Sequence, residues 1–147
     1  MKTALIVYGS STGNTEFTAE TIESHLSHNA YEVTLLDVKD ADVSELKNAY
    51  DLYLLGCSTW GEEEIELQED FEPFYNDMNP PIDLNGSSFA VFGCGDSSYT
   101  YFCGAVDEIE ARLSALGANL VTESLRIDGE PEEDEIQGWA EDVINAA

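Results

Sequence analysis

Five short apolar or alternating runs take turns with amphipathic segments along the chain, and this alternation restricts the fold more than any other feature. Ala4–Tyr8, Leu52–Leu55 and Phe89–Phe92 are continuous apolar runs of strand length, as strands buried on both faces require. Leu120–Leu125 is a more mixed fourth run, and Tyr31–Leu36 alternates, which suits an edge strand. Between them, Thr15–Leu26 carries Phe17, Ala19, Ile22 and Leu26 on one helical stripe. Ser44–Lys47 reads as a short helix, and Glu69–Met78, Ala105–Leu116 and Glu132–Ala146 as longer ones, with Gly117 a C-cap. Strand–helix alternation of this kind builds a parallel sheet with helices on both faces through right-handed crossovers.

The length of 147 residues and a hydrophobic content of 43% predict a single folded domain spanning residues 1–147. There is no internal repeat, linker or low-complexity tract. No apolar run approaches the roughly 20 residues that a membrane span needs. Met1–Gly9 reads as a first strand, since its apolar stretch is too short for a signal peptide and no small-residue cleavage site follows. Five basic residues face 31 acidic ones, a net charge of −26. Nucleic acid and anionic membranes are thereby poor partners and basic proteins good ones. The same acidity also serves solubility or salt adaptation. Three cysteines, Cys57, Cys94 and Cys103, lack the spacing of a disulfide framework, zinc site or iron–sulfur site. A reducing cytoplasm is the expected location.

In a doubly wound sheet the ligand sits beyond the carboxyl ends of the strands, where the order reverses. The loops after the first, third and fourth runs are also the most unusual stretches of the sequence. The first is Gly9-Ser10-Ser11-Thr12-Gly13-Asn14-Thr15. Its glycines let backbone N–H groups converge at a helix N-terminus, and its hydroxyls can donate to phosphate oxygens without any lysine or arginine. It is not a Walker A loop, because Asn14 follows Gly13, and G-x-G-x-x-G is absent. A receiver domain would place acidic residues here. A plain N-cap at Thr12 or Asn14 explains one such residue but not the whole run.

Gly56-Cys57-Ser58-Thr59-Trp60-Gly61 follows the third run, and Gly93-Cys94-Gly95-Asp96-Ser97-Ser98-Tyr99-Thr100-Tyr101-Phe102-Cys103 the fourth. Each loop puts an aromatic ring at the ligand edge, so that two faces could sandwich a flat heterocycle, each contributing about 1 kcal/mol beyond area burial. Trp60 and Tyr99 are the favoured pair. Tyr101 and Phe102 suit packing at the start of the next helix and stay in the candidate set. Trp139 lies on an apolar helical face and is assigned to the core. His25 and His28 are expected at the surface without a catalytic or metal partner. No triad, paired-carboxylate site or metal cluster stands out.

These stretches together resemble the short-chain flavodoxins of anaerobic sulfate-reducing bacteria. The resemblance runs through 4–15, 55–61, Ile65-Glu66-Leu67-Gln68 with Asp70-Phe71, 92–99, 101–106 and Leu125-Arg126-Ile127-Asp128-Gly129, essentially the whole chain. It implies a flavodoxin-like five-stranded parallel sheet of order 2-1-3-4-5 and flavin mononucleotide (FMN) as cofactor. It further implies phosphate binding by Ser10, Ser11, Thr12, Gly13, Asn14, Thr15 and Ser58, and ring stacking on Trp60 and Tyr99. Backbone groups of Cys94, Gly95, Asp96 and Cys103 would read the pyrimidine edge, with Thr59, Gly61, Tyr101 and Phe102 completing the cofactor-binding set. The implied function is a low-potential one-electron carrier, not an enzyme. Its expected partners are redox proteins with basic docking surfaces, such as cytochromes or oxidoreductases, and it is expected to be a monomer. The departures are Asn79-Pro80-Pro81 before the fourth strand and the large negative charge, both outside the cofactor motifs. An FMN-dependent quinone or nitro reductase, and a phosphate-binding signalling domain, are the competing readings.

Overall fold

The computed structural model describes residues 2–10, 13–47, 50–60, 66–79, 82–95 and 103–147, with the backbone alone described for Lys47, Thr59, Trp60, Glu66 and Leu67. The strands are β1 (Lys2–Gly9), β2 (Tyr31–Asp37), β3 (Leu52–Cys57), β4 (Thr59–Trp60), β5 (Glu66–Leu67), β6 (Ser88–Gly95), β7 (Asn119–Leu120) and β8 (Leu125–Asp128). The helices are α1 (Asn14–Ser27), α2 (Phe71–Asp77), α3 (Gly104–Ala115) and α4 (Glu133–Ala146). The main sheet runs β2-β1-β3-β6 and ends in β7 and β8, both paired with β6, and every pairing is parallel. Counting β7 and β8 as one interrupted strand, the order is 2-1-3-4-5.

Period-two alternation in the central strands sorts the core into two layers. Leu5, Val7, Tyr53, Leu55, Phe89 and Val91 face α2 and α3, where Phe71, Phe74, Val106, Ile109 and Leu113 complete one buried cluster. Ala4, Ile6, Leu52, Leu54, Ala90 and Phe92 face the opposite way, against Ala19, Ile22 and Leu26 of α1 and Ile136, Trp139 and Val143 of α4. Both faces are covered, which is why these strands read as unbroken apolar runs. Among the described residues the alternating strand β2 pairs only with β1 and so forms the edge that its pattern predicts.

Three expectations are corrected. The fourth apolar run does not make one strand. Phe89 pairs with Leu120 and Phe92 with Leu125, so three steps on β6 span five on the edge, and two residues loop out. The Trp139 indole N–H donates to the Glu123 carbonyl at 2.8 Å, replacing a lost ladder bond. The short helix expected at Ser44–Lys47 is present, as a 3-10 helix over Val43–Lys47. Helix α2 starts at Phe71 rather than Glu69, because Gln68 occupies the turn that precedes it and bonds the first amides. His25 also differs, being half-buried with its Nε2 at 2.9 Å from a Glu141 carboxylate oxygen.

Candidate cofactor-binding site

The carboxyl ends of β1, β3 and β6 lie together at one edge of the sheet. After Gly9, the Ser10 hydroxyl accepts the Gly13 N–H at 3.1 Å and closes a tight turn. Gly13 adopts φ 94°, a left-handed conformation, while a Cβ there would meet nothing within 4 Å. Backbone geometry, not space, therefore calls for glycine at this position. Helix α1 begins at Asn14, and by helix geometry its first N–H groups have no acceptor inside the helix. They present the positive end of the helix dipole to the turn. The Asn14 side-chain amide reaches the Gly129 carbonyl at 3.4 Å, tying this turn to the one after β8.

Beneath the turn, Thr15 is fully buried and Ser58, just past β3, is 5% exposed. Their hydroxyl oxygens lie 2.7 Å apart. One O–H is spent on the other, and the accepting hydroxyl keeps its own proton for a third group. Thr18, one helical turn on, donates to the Asn14 carbonyl at 2.8 Å and approaches the Cys94 sulfur at 3.7 Å. The hydroxyls thus form a bridge from α1 to β3 and β6.

At the end of β6 the close packing is set by backbone. A Cβ on Gly95 would stand 3.0 Å from the Cys103 nitrogen and 3.2 Å from its sulfur. Cys103 itself holds φ 51°, unusual for a residue with a Cβ, and is fully buried at the start of α3. Its carbonyl accepts a long bond from Arg126 at 3.5 Å, and the same guanidinium lies 2.7 Å from Asp107 and 2.9 Å from Glu110. Burial pushes the Cys94 thiol up and the Cys57 and Cys103 thiols to about 12, so all three stay protonated at neutral pH.

Between these two turns, β4 and β5 pair antiparallel, Thr59 with Leu67 and Trp60 with Glu66. The segment read from sequence as an open loop is thus the start and end of a hairpin.

The sequence-predicted residues fall into two assembled groups. Ser10, Gly13, Asn14 and Thr15 gather with Ser58, and Cys94 and Gly95 gather with Cys103. Ser11, Thr12, Gly61, Asp96, Tyr99, Tyr101 and Phe102, and the side chains of Thr59 and Trp60, lie outside the described residues. Sequence reasoning missed Thr18, Gln68 and Gly129 as organisers of the site. Thr18 had a weak signal, a second polar residue one turn after Thr15 on a face that should be apolar. Gln68 had none, since its role depends on which strands the hairpin joins.

Comparison with known proteins places this geometry in a family. The Flavodoxin family profile matches residues 6–141. The chain is 53% identical over 145 residues to a flavodoxin of Maridesulfovibrio salexigens, covering 99% of both chains. It is 49% identical over 148 residues to a flavodoxin of Nitratidesulfovibrio vulgaris strain Miyazaki F, again covering 99% of each. The crystal structure of oxidised flavodoxin 2 from Bacillus cereus superposes with a TM-score of 0.89 at 39% identity, covering 99% of both chains. The chain therefore belongs to the flavodoxin family, whose members are electron-transfer proteins that hold FMN non-covalently and work with redox-protein partners.

Proposed function

We propose that this chain is a low-potential one-electron carrier, a single domain of 147 residues that holds FMN across the two turns and the hairpin between them. The observation that carries the reading is the buried Thr15–Ser58 hydroxyl pair beneath the α1 N-terminus. This is a seat for a phosphate dianion made of hydroxyls, amides and a helix dipole. FMN fits the arrangement on a second count. At the Gly95–Cys103 approach a side chain would fit only if its neighbour gave way, and glycine there lets backbone groups come close to a flat ring.

In this reading Ser10, Ser11, Thr12, Gly13, Asn14, Thr15 and Ser58 hold the phosphate. Trp60 and Tyr99 cover the two ring faces, and backbone groups of Cys94, Gly95, Asp96 and Cys103 bind the pyrimidine edge. Thr59, Gly61, Tyr101 and Phe102 line the remainder. Bound FMN supplies the redox chemistry, accepting and returning electrons. The protein's part is to orient it, exclude water from its faces and set its potential.

The potential should be low because the protein offers a reduced, anionic ring little positive charge. Lys39 pairs with Asp37 at 3.8 Å, and Arg112 sits over the Tyr75 ring and donates to the Met78 carbonyl at the end of α2. Arg126, the guanidinium that reaches Cys103, already faces Asp107 and Glu110. Against a net charge of −26, each extra electron is opposed. A unit charge ~10 Å away contributes ~1.7 kcal/mol at an effective dielectric of ~20, equivalent to ~70 mV for one electron, less where salt screens it.

Partners with basic surfaces fit the same field. A groove beside α2 is lined by Asp42, Glu69, Asp70 and Asp77 together with Lys39. Among the described residues Phe17 is the exposed large hydrophobic side chain, which favours a monomer. Three free, buried thiols suit a reducing cytoplasm. Purification tests the whole reading. The protein should be yellow, release FMN on denaturation and oxidise no NAD(P)H; a colourless protein, or a yellow one that turns over NAD(P)H, would overturn it.

A further inference from the structure

Gln68 is a polar side chain with 1% exposure at the point where the hairpin returns to the sheet. Its backbone N–H donates to the Ser58 carbonyl at 3.0 Å, closing the base of the β4–β5 hairpin one step below the Thr59–Leu67 pair. Ser58 in turn donates its N–H to the Gly9 carbonyl at 3.3 Å. The Gln68 side chain points the same way. Its Oε1 would lie 2.6 Å from a Cβ on Gly9, and the Cβ of Phe71 only 3.0 Å from it, so this glycine leaves the space that the amide fills. The same oxygen accepts the N–H groups of Asp70 at 3.0 Å and Phe71 at 3.1 Å, while Nε2 donates to the Asp70 carboxylate at 3.1 Å. One residue therefore joins three segments: its backbone closes the hairpin base, while its side chain caps α2 and packs on the residue where the phosphate loop begins.

We propose that Gln68 is a positioning residue that locks the Trp60-bearing hairpin to Gly9 and so holds the phosphate seat and the ring seat at a fixed separation. The inference rests on the cofactor reading above. FMN, held at both ends, needs the two seats in register; riboflavin, lacking the phosphate, engages the ring seat alone. A hairpin shifted on its base still accepts riboflavin but forces FMN to give up contacts at one end.

The test compares FMN and riboflavin binding to the full-length wild type, Gln68→Met and Gln68→Glu by fluorescence titration, with thermal melts alongside. The wild type should prefer FMN. Gln68→Met keeps the length and loses the side-chain acceptor for the Asp70 and Phe71 N–H groups together with the amide packed on Gly9, and should cut the FMN-to-riboflavin affinity ratio about tenfold. Gln68→Glu keeps an oxygen facing the Asp70 and Phe71 N–H groups but turns its other oxygen toward the Asp70 carboxylate, so it should recover most of that ratio only at acidic pH, where the two carboxyls share a proton. A purely architectural role would lower the melting temperature and weaken both ligands by one factor, and an unchanged ratio in Gln68→Met overturns the proposal. A wild type with no preference for FMN removes the phosphate seat itself and the inference with it. Should Gln68→Met not fold, the flavin-free wild type decides. Inorganic phosphate should slow hydrogen exchange at the Trp60 and Gln68 amides, and protection confined to the phosphate loop overturns the lock.

Discussion

The end of β1 and the end of β6 lie at the same edge of the sheet but are specified in different ways. The first works through side chains: the Ser10 hydroxyl closes it, and Thr15 and Ser58 lie hydrogen-bonded beneath it. The second works through the absence of side chains. Gly95 presses on Cys103, and two residues earlier Gly93 has the Cys57 carbonyl oxygen only 2.5 Å from where a Cβ would sit. A site for a charged phosphate needs donors that a sequence can display, whereas a site for a ring edge needs close backbone, which it displays only as glycine.

The contrast can be broken most forcefully at Gly93. Gly93→Ala should cost about 3 kcal/mol of stability in urea unfolding, because the obstacles are a backbone oxygen and the Val106 methyl at 2.6 Å, neither at the end of a flexible side chain. A loss below about 1 kcal/mol would mean that β3 and β6 separate easily. Thr15→Val should act on the ligand instead. It removes the hydroxyl that meets Ser58 and should weaken FMN by about 1.5–3 kcal/mol with little change for riboflavin, as read by paired titrations. Equal weakening of both ligands would move Thr15 from the phosphate seat to the general core.

Gly13→Ala should cost about 1 kcal/mol, the strain of a left-handed residue with a Cβ, since open space surrounds that position. A much larger cost would show that the turn depends on more than backbone conformation. The smallest effect at neutral pH is a set of silent protons. Burial holds the Cys57 and Cys103 thiols near 12 against an ordinary 9.0. Burial, then the Glu16 carboxylate, holds the Tyr8 phenol near 12 against 10.0. Groups with raised values keep their protons longer in the folded state, so stability is intact below pH 9 and falls as pH climbs from 9 toward 12. Urea midpoints measured across that range check the sign; a midpoint that rises through it would contradict the assignment.

The same contrast explains how much was legible beforehand. The hydroxyl run at 10–15 and the apolar runs of β1, β3 and β6 announce themselves by residue type and period, and the sheet order followed from family resemblance. The interruption between β7 and β8 was hidden, because Leu120–Leu125 looks apolar enough for one strand and only the Trp139–Glu123 bond shows what replaces the ladder. Gln68 was hidden for the same physical reason. A buried amide is explained by the three segments that converge on it, and none of them is near it in type or period.

A negative protein in which Lys39, Arg112 and Arg126 are already engaged should drive the potential of bound FMN down. Spectroelectrochemical titration of the purified holoprotein measures this directly. The second electron should enter at a potential more negative than in free FMN, and raising the salt concentration should move it upward as the negative field is screened. A second-electron potential at or above that of free FMN would contradict it.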